Sequence, residues 1–100
     1  MLNAKIENFY NLALDNVINA DEDREACWGI AGFYRSCSYD VENEQTKYIL
    51  LKRAIYYYMC SYSCGNPYGL KNAKEIAEAN GIQVNYNDIN GWAEKESIFS

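Results

Sequence analysis

The sequence predicts an all-α fold, a compact bundle of four to five helices around a central tyrosine-rich helix. Three observations predict it. Across 2–18, apolar residues recur at three- and four-residue steps, which is the helical period. The run 54–64, Ala-Ile-Tyr-Tyr-Tyr-Met-Cys-Ser-Tyr-Ser-Cys, carries no charge although it directly follows Lys52-Arg53, so it marks the centre of a core. At Gly65-Asn66-Pro67, a glycine suited to ending one helix meets an N-cap and a proline suited to starting the next.

A chain of 100 residues makes one domain, large enough to bury roughly 60–70% of the surface its unfolded form exposes. With 49% hydrophobic and 15% aromatic residues, it has globular composition, which excludes wholesale disorder.

The first predicted helix covers 3–19, with Leu2, Ile6, Phe9, Tyr10, Ala13, Leu14, Val17 and Ile18 on its apolar positions. A second, over 22–38, is capped by Asp21, and Glu22, Asp23 and Glu25 set negative charge against the positive end of the helix dipole. Its apolar face is Ala26, Cys27, Ile30, Phe33, Tyr34 and Cys37. Gly29 and Gly32 are expected to let a neighbouring helix approach closely, which offsets the ~1 kcal/mol each costs relative to alanine.

The third helix, over 41–64 and capped by Asp40, is expected to carry a core stripe of Tyr48, Leu51, Ile55, Tyr58 and Tyr62 flanked by Leu50, Ala54 and Tyr57. Apolar residues on most of its circumference place it between neighbours on several sides. A fourth helix spans 67–80 through Leu70, Ala73, Ile76 and Ala77, with Gly81 after its end and Lys71, Lys74, Glu75 and Glu78 facing solvent. No strand pattern follows. A short helix over 88–97 runs through Ile89, Trp92 and Ala93, and Trp92, Ile98 and Phe99 are expected to pack back on the bundle rather than leave apolar surface in water.

Charge narrows the function classes. The net charge is -5, from 14 acids against 9 bases, and no basic run could track a phosphate backbone, so direct nucleic-acid binding is disfavoured. An acidic surface suits a basic protein partner instead. Lys5 and Glu7 interrupt the N-terminal apolar positions before a signal-peptide core could form, which reads as cytoplasmic sequence. The weakly charged stretches are far shorter than the ~20 residues needed to cross a bilayer, so no membrane span is expected.

Catalytic and metal-binding motifs fail on their spacing. Cys60 and Cys64 share a helix face, but Cys27 and Cys37 on one helix are separated by about 15 Å of rise, whereas sulfurs around one zinc lie about 4 Å apart. There is no histidine. Reduced thiols without metal or cofactor are expected, and the lack of a secretion signal disfavours disulfides. Tyr48 and Lys52 reproduce the Tyr-x-x-x-Lys spacing of short-chain dehydrogenases without a glycine-rich nucleotide fingerprint. The run 75–82 is like the first helix and turn of a helix-turn-helix, but Asn87 and Asn90 stand where the recognition helix should be apolar. No enzymatic function is expected.

The segment Ala26-Cys27-Trp28-Gly29-Ile30-Ala31-Gly32-Phe33-Tyr34, then Leu50-Leu51-Lys52-Arg53-Ala54-Ile55-Tyr56-Tyr57 and Gly65-Asn66-Pro67, resembles one helical hairpin of the tetratricopeptide type. The resemblance covers 26–67. Trp28 to Pro67 exceeds the usual unit and no second repeat follows, so the resemblance implies packing geometry and a protein-binding role, without a repeat array.

The candidate binding residues are the acids Asp21, Glu22, Asp23 and Glu25 near the start of the second predicted helix, and Asp40, Glu42 and Glu44 at its opposite end. Capping and dipole compensation account for Asp21 to Glu25 and Asp40 without a partner; the functional reading uses the same charges to engage Lys and Arg on a target. The expected function is a non-enzymatic acidic protein-binding module, monomeric or homodimeric. Its specific form is a phage or mobile-element inhibitor, anti-CRISPR-like, that blocks the basic nucleic-acid-binding surface of a partner such as a CRISPR effector. The alternatives are a tetratricopeptide-like adaptor and a small cysteine-based metal or redox protein.

Overall fold

The computed structural model describes residues 24–99. The predicted helix over 3–19 and the acids Asp21, Glu22 and Asp23 lie outside the described residues. Four helices follow one another: α1 (Arg24–Ser38), α2 (Glu44–Ser63), α3 (Pro67–Asn80) and α4 (Ile89–Lys95). The fold is all-α, with no strand among the described residues. α2 packs against each of the other three and is the central element.

Local chemistry sets the helix ends. The Thr46 N–H donates to Asn43 Oδ1 at 3.0 Å, so α2 is capped by Asn43. This corrects the expected cap at Asp40, which instead closes the turn after α1 through its N–H to the Cys37 carbonyl at 3.1 Å. Both residue types cap helices; the one taken is the one whose side chain reaches a free N–H of the first turn. At the other end Gly65 adopts φ 107°, and the Asn66 and Gly65 N–H groups return to the carbonyls of Ser61 and Tyr62. These bonds satisfy carbonyls that the helix end leaves open. Asn66 Oδ1 then accepts from the Tyr68 N–H at 3.0 Å, with Pro67 opening α3. α3 ends in the same way at Gly81, φ 65°, with the Ile82 N–H on the Ala77 carbonyl.

In the middle of α2, Leu50, Leu51, Ala54, Ile55, Tyr57, Tyr58 and Met59 are buried. They meet Ile30, Ala31 and Tyr34 of α1 and Ala73, Ile76 and Ala77 of α3 in one cluster. The expected stripe needs correction at both ends, because Tyr48 is 40% and Tyr62 43% exposed. Tyr48 donates from its hydroxyl to the Asn80 carbonyl at the end of α3, at 3.4 Å, and Tyr62 lies beside Gly69 near the start of α3. Both are partly exposed at the core's edge, a usual place for an amphipathic ring.

Arg53 is buried with the core. Its Nε donates to the Ile98 carbonyl at 2.6 Å, and its guanidinium lies 5.8 Å from the Tyr34 ring centroid and 5.5 Å from that of Phe99. The contact draws the C-terminal segment onto α2, where Ile98 is buried as expected. Ser97, at φ 53°, makes the turn that allows this, at about 1–2 kcal/mol for a left-handed non-glycine residue.

The close approach expected at Gly29 and Gly32 occurs elsewhere. Among the described residues nothing lies within 4 Å of a Cβ built on Gly29, and one on Gly32 would meet only the Tyr58 hydroxyl at 3.8 Å. At Gly69 a Cβ would strike the Tyr58 carbonyl and lie 2.7 Å from the Tyr62 nitrogen, so α3 crosses α2 there, backbone against side of helix. Gly69→Ala should destabilise the protein at the upper end of the about 1–3 kcal/mol typical of overpacking, since backbone cannot rotate away. Gly29→Ala should be neutral or stabilising by up to ~1 kcal/mol. Urea unfolding of both variants checks the assignment, and a Gly69→Ala midpoint at or above the parent's would contradict it.

Candidate protein-interaction surface

Two exposed regions lie at opposite ends of α1, whose 15 residues span about 22 Å. At the C-terminal end, Tyr39, Asp40, Glu42 and Glu44 are all exposed around the α1–α2 connection, and Tyr39 reaches 70%. No ion pair among the described residues engages Asp40, Glu42 or Glu44. Since Asn43 caps α2, capping does not account for Asp40; Glu44, in the first turn, does compensate the dipole. Beneath this edge lies Arg35. Burial would lower its pKa, but hydrogen bonds to the Tyr39 and Tyr58 side chains, together with their charge interaction, raise it above the usual value. A permanent cation thus holds the base of an otherwise acidic loop.

At the N-terminal end, Glu25 and Trp28 of α1 face Asn66, Pro67 and Tyr68 of the α2–α3 junction across a cleft of about 550 Å³. Trp28 is held edge-to-face on Tyr58, with centroids 5.0 Å apart and planes at 73°. Tyr68 is 62% exposed. The acids therefore do not form one patch: Glu25 belongs to the cleft, Asp40, Glu42 and Glu44 belong to the loop, and Asp21, Glu22 and Asp23 lie outside the described residues.

The four cysteines are reduced, Cys27 buried and the others half-buried. Burial pushes the Cys60 thiol up to about 12; the neighbouring Cys27 adds to this, a hydrogen bond with Tyr56 opposes it, and Cys64 adds a little more. At neutral pH Cys60 is a neutral thiol, the form that neither attacks carbonyls nor binds metal well. Among the described residues no group of three or more His, Cys, Asp or Glu side chains is placed to hold a metal ion, and no helix is long and apolar enough to cross a membrane.

Sequence reasoning singled out the acids and not the aromatic side chains beside them, Tyr39, Trp28 and Tyr68. The signal for Tyr68 was its place next to a proline at a helix start, where a side chain projects from a corner. Trp28 enters the sequence reading only as the tryptophan of the tetratricopeptide resemblance, outside the predicted apolar face. Comparison of the chain with models of protein families, with curated proteins and with solved structures gives no match.

Proposed function

We propose that the protein is a non-catalytic, cytoplasmic binding module whose acidic loop engages a Lys- and Arg-rich surface on a partner protein. The observation that carries this reading is the loop itself. A tyrosine that is 70% exposed stands beside carboxylates with no ion pair inside the described structure. Tyrosine supplies contact area at small entropic cost, and uncompensated charge steers encounter with a basic surface. The specific form of the proposal is an inhibitor encoded by a phage or mobile element that covers the nucleic-acid groove of an effector such as a CRISPR nuclease. Such a groove is lined with Lys and Arg for its own substrate, and an acidic competitor uses the same charges.

The test begins with affinity capture from bacterial lysate to obtain the partner, followed by association kinetics across a salt series. Reversal of Asp40, Glu42 and Glu44 to lysine together should slow association about tenfold or more at low salt and flatten its salt dependence. Exposed charges contribute little to folding, and only Glu44, which offsets the α2 dipole, should cost up to about 1 kcal/mol on reversal, so the melting temperature is measured beside the association rate. A companion reversal at Asp21, Glu22, Asp23 and Glu25 apportions the effect between the two acidic groups. If both reversed proteins associate as fast as the parent at low salt, the acids serve folding alone and the reading fails.

A further inference from the structure

We propose that Cys27 of α1 and Cys60 of α2 form a reversible disulfide across the interface of the two helices, tying α1 to the central helix when the surrounding thiol–disulfide balance turns oxidising. This goes beyond the binding reading and does not depend on it. Helix register brings the two residues together. Arg53 lies against the Tyr34 ring and Tyr58 against Trp28, so α1 and α2 run antiparallel. Cys27 is one residue before Trp28 and Cys60 two residues beyond Tyr58, so at about 1.5 Å of rise per residue they stand within one turn of the same level. They also share the facing sides. Tyr34 stacks on Tyr57 with centroids 6.0 Å apart; Cys27 lies two turns before Tyr34 on its face, and Cys60 one turn after Tyr57 on its own. Ala31, one turn after Cys27, and Ser61, next to Cys60, are small and fully buried, which lets the helices pack closely there.

The other pairings fail on geometry. Cys60 and Cys64 lie one turn apart on one helix, with Cβ atoms about 5–6 Å apart, whereas a disulfide holds them at about 3.5–4.5 Å, so joining them would distort the end of α2. Cys37 is ten residues along α1 from Cys27, about 15 Å of rise. Cys64 lies a further turn along α2 from Cys60, past the level of Cys27. Electrostatics agrees with this placement: after burial, the largest influence raising the Cys60 thiol is Cys27, and Cys64 ranks below it. A shared metal ion is not the competing use of these sulfurs, because no three such ligands are placed to hold one among the described residues.

The co-reactant is a small disulfide of the glutathione class. The Cys60 thiolate attacks one of its sulfurs, the S–S bond breaks, and a glutathione thiolate leaves and takes up the proton that Cys60 gave up. The Cys27 thiolate then attacks the Cys60 sulfur of the mixed disulfide, and the second glutathione leaves in the same way. Two protein thiols are oxidised and one glutathione disulfide is reduced to two glutathiones. Because Cys60 is neutral at neutral pH, its thiolate is scarce and the exchange is slow, so the pair answers sustained rather than momentary oxidation.

The full chain is equilibrated in glutathione buffers from fully reduced to fully oxidised at pH 8.5, a condition about 1.5 pH units above neutral that speeds thiolate attack, then quenched, alkylated and digested with trypsin. Cys27 falls in the tryptic peptide 25–35, Cys37 in 36–47, and Cys60 with Cys64 in 54–71. Peptides 25–35 and 54–71 should appear joined, with Cys37 and Cys64 alkylated, in a protein that remains a monomer by non-reducing electrophoresis. Cys64→Ser should leave the link intact and Cys60→Ser should abolish it. The oxidised protein should melt at least about 8 °C above the reduced one, since the link restrains the unfolded chain over 27–60, and dithiothreitol should reverse the gain. The proposal is overturned if no joined peptide forms in glutathione disulfide alone, if the link persists in Cys60→Ser through Cys64, if the link joins two chains, or if the oxidised protein melts at or below the reduced one. Mapping of the unaltered chain decides the pairing even where a variant fails to fold.

Discussion

Truncating Ile55 to alanine is expected to destabilise the protein by about 2–5 kcal/mol, as for other large-to-small changes in a closed core. Ile55 is fully buried on the one helix that touches all three others among the described residues. A cavity there has packed helices around it and little freedom to collapse. For a domain of this size each kcal/mol lowers the melting temperature by about 4–8 °C, so the loss should be plain in a thermal melt followed by circular dichroism. Tyr58→Ala should fall in the same range and should also loosen Trp28, whose ring rests on Tyr58. Tyr48→Ala is the informative contrast. It occupies the same stripe in sequence but is 40% exposed, with a long hydrogen bond to the Asn80 carbonyl. Its loss should cost under about 1 kcal/mol. Equal melting shifts for Ile55→Ala and Tyr48→Ala would show that the tyrosine at the helix start is core after all.

What the sequence makes legible is what short-range chemistry decides. Gly65, Asn66 and Pro67 determine one helix end and the next helix start through backbone preferences of three adjacent residues, and α3 has the predicted bounds 67–80. Gly81 works in the same way. The uncharged run after Arg53 also lies in the core as far as Ser61, because burying so much apolar surface leaves no other place for it, while Tyr62 and Ser63 at its end are exposed. Decisions made by a distant partner are not legible. Gly69 rather than Gly29 or Gly32 is the crossing point, since close approach depends on where two helices meet, and all three glycines look alike along the chain. Arg53 enters the core because the Ile98 carbonyl, 45 residues further on, accepts a hydrogen bond from its Nε–H. Asn43 rather than Asp40 caps α2 through reach, which residue type does not encode. The candidate surface divides along the same line. The exposure of Asp40, Glu42 and Glu44 follows from their charge, whereas the cleft joins Glu25 and Trp28 to Asn66, Pro67 and Tyr68 only after α1 and α2 have packed.

Trp92→Ala is expected to cost about 3–5 kcal/mol and to release the C-terminal segment selectively. Two contacts argue for this. The indole is buried within the cluster shared with α2, and its Nε1–H donates to the Gln83 carbonyl at 2.8 Å, tying the 82–88 connection to α4. α4 has only 7 residues, well short of the ~12–15 at which an isolated helix becomes even marginal in water. Its order therefore comes from docking. The other ties are the Tyr56 hydroxyl to Asn90 Oδ1 at 3.0 Å, the Lys52–Glu96 pair at 3.5 Å, and Arg53 on the Ile98 carbonyl. The first two are solvent-accessible and worth little each, so Arg53 and the buried Ala93 and Ile98 would be left to hold the segment. Amide exchange in 82–99 should accelerate more than in α1 and α2, and limited proteolysis should cut there first. Trp92→Phe keeps a ring in the core and removes the donor, so it should cost only about 1–3 kcal/mol, chiefly from the unsatisfied Gln83 carbonyl and reduced packing. Unchanged protection in 82–99 for Trp92→Ala would place the anchor at Arg53 and Ile98 instead, and Arg53→Met would then be the variant that frees the tail.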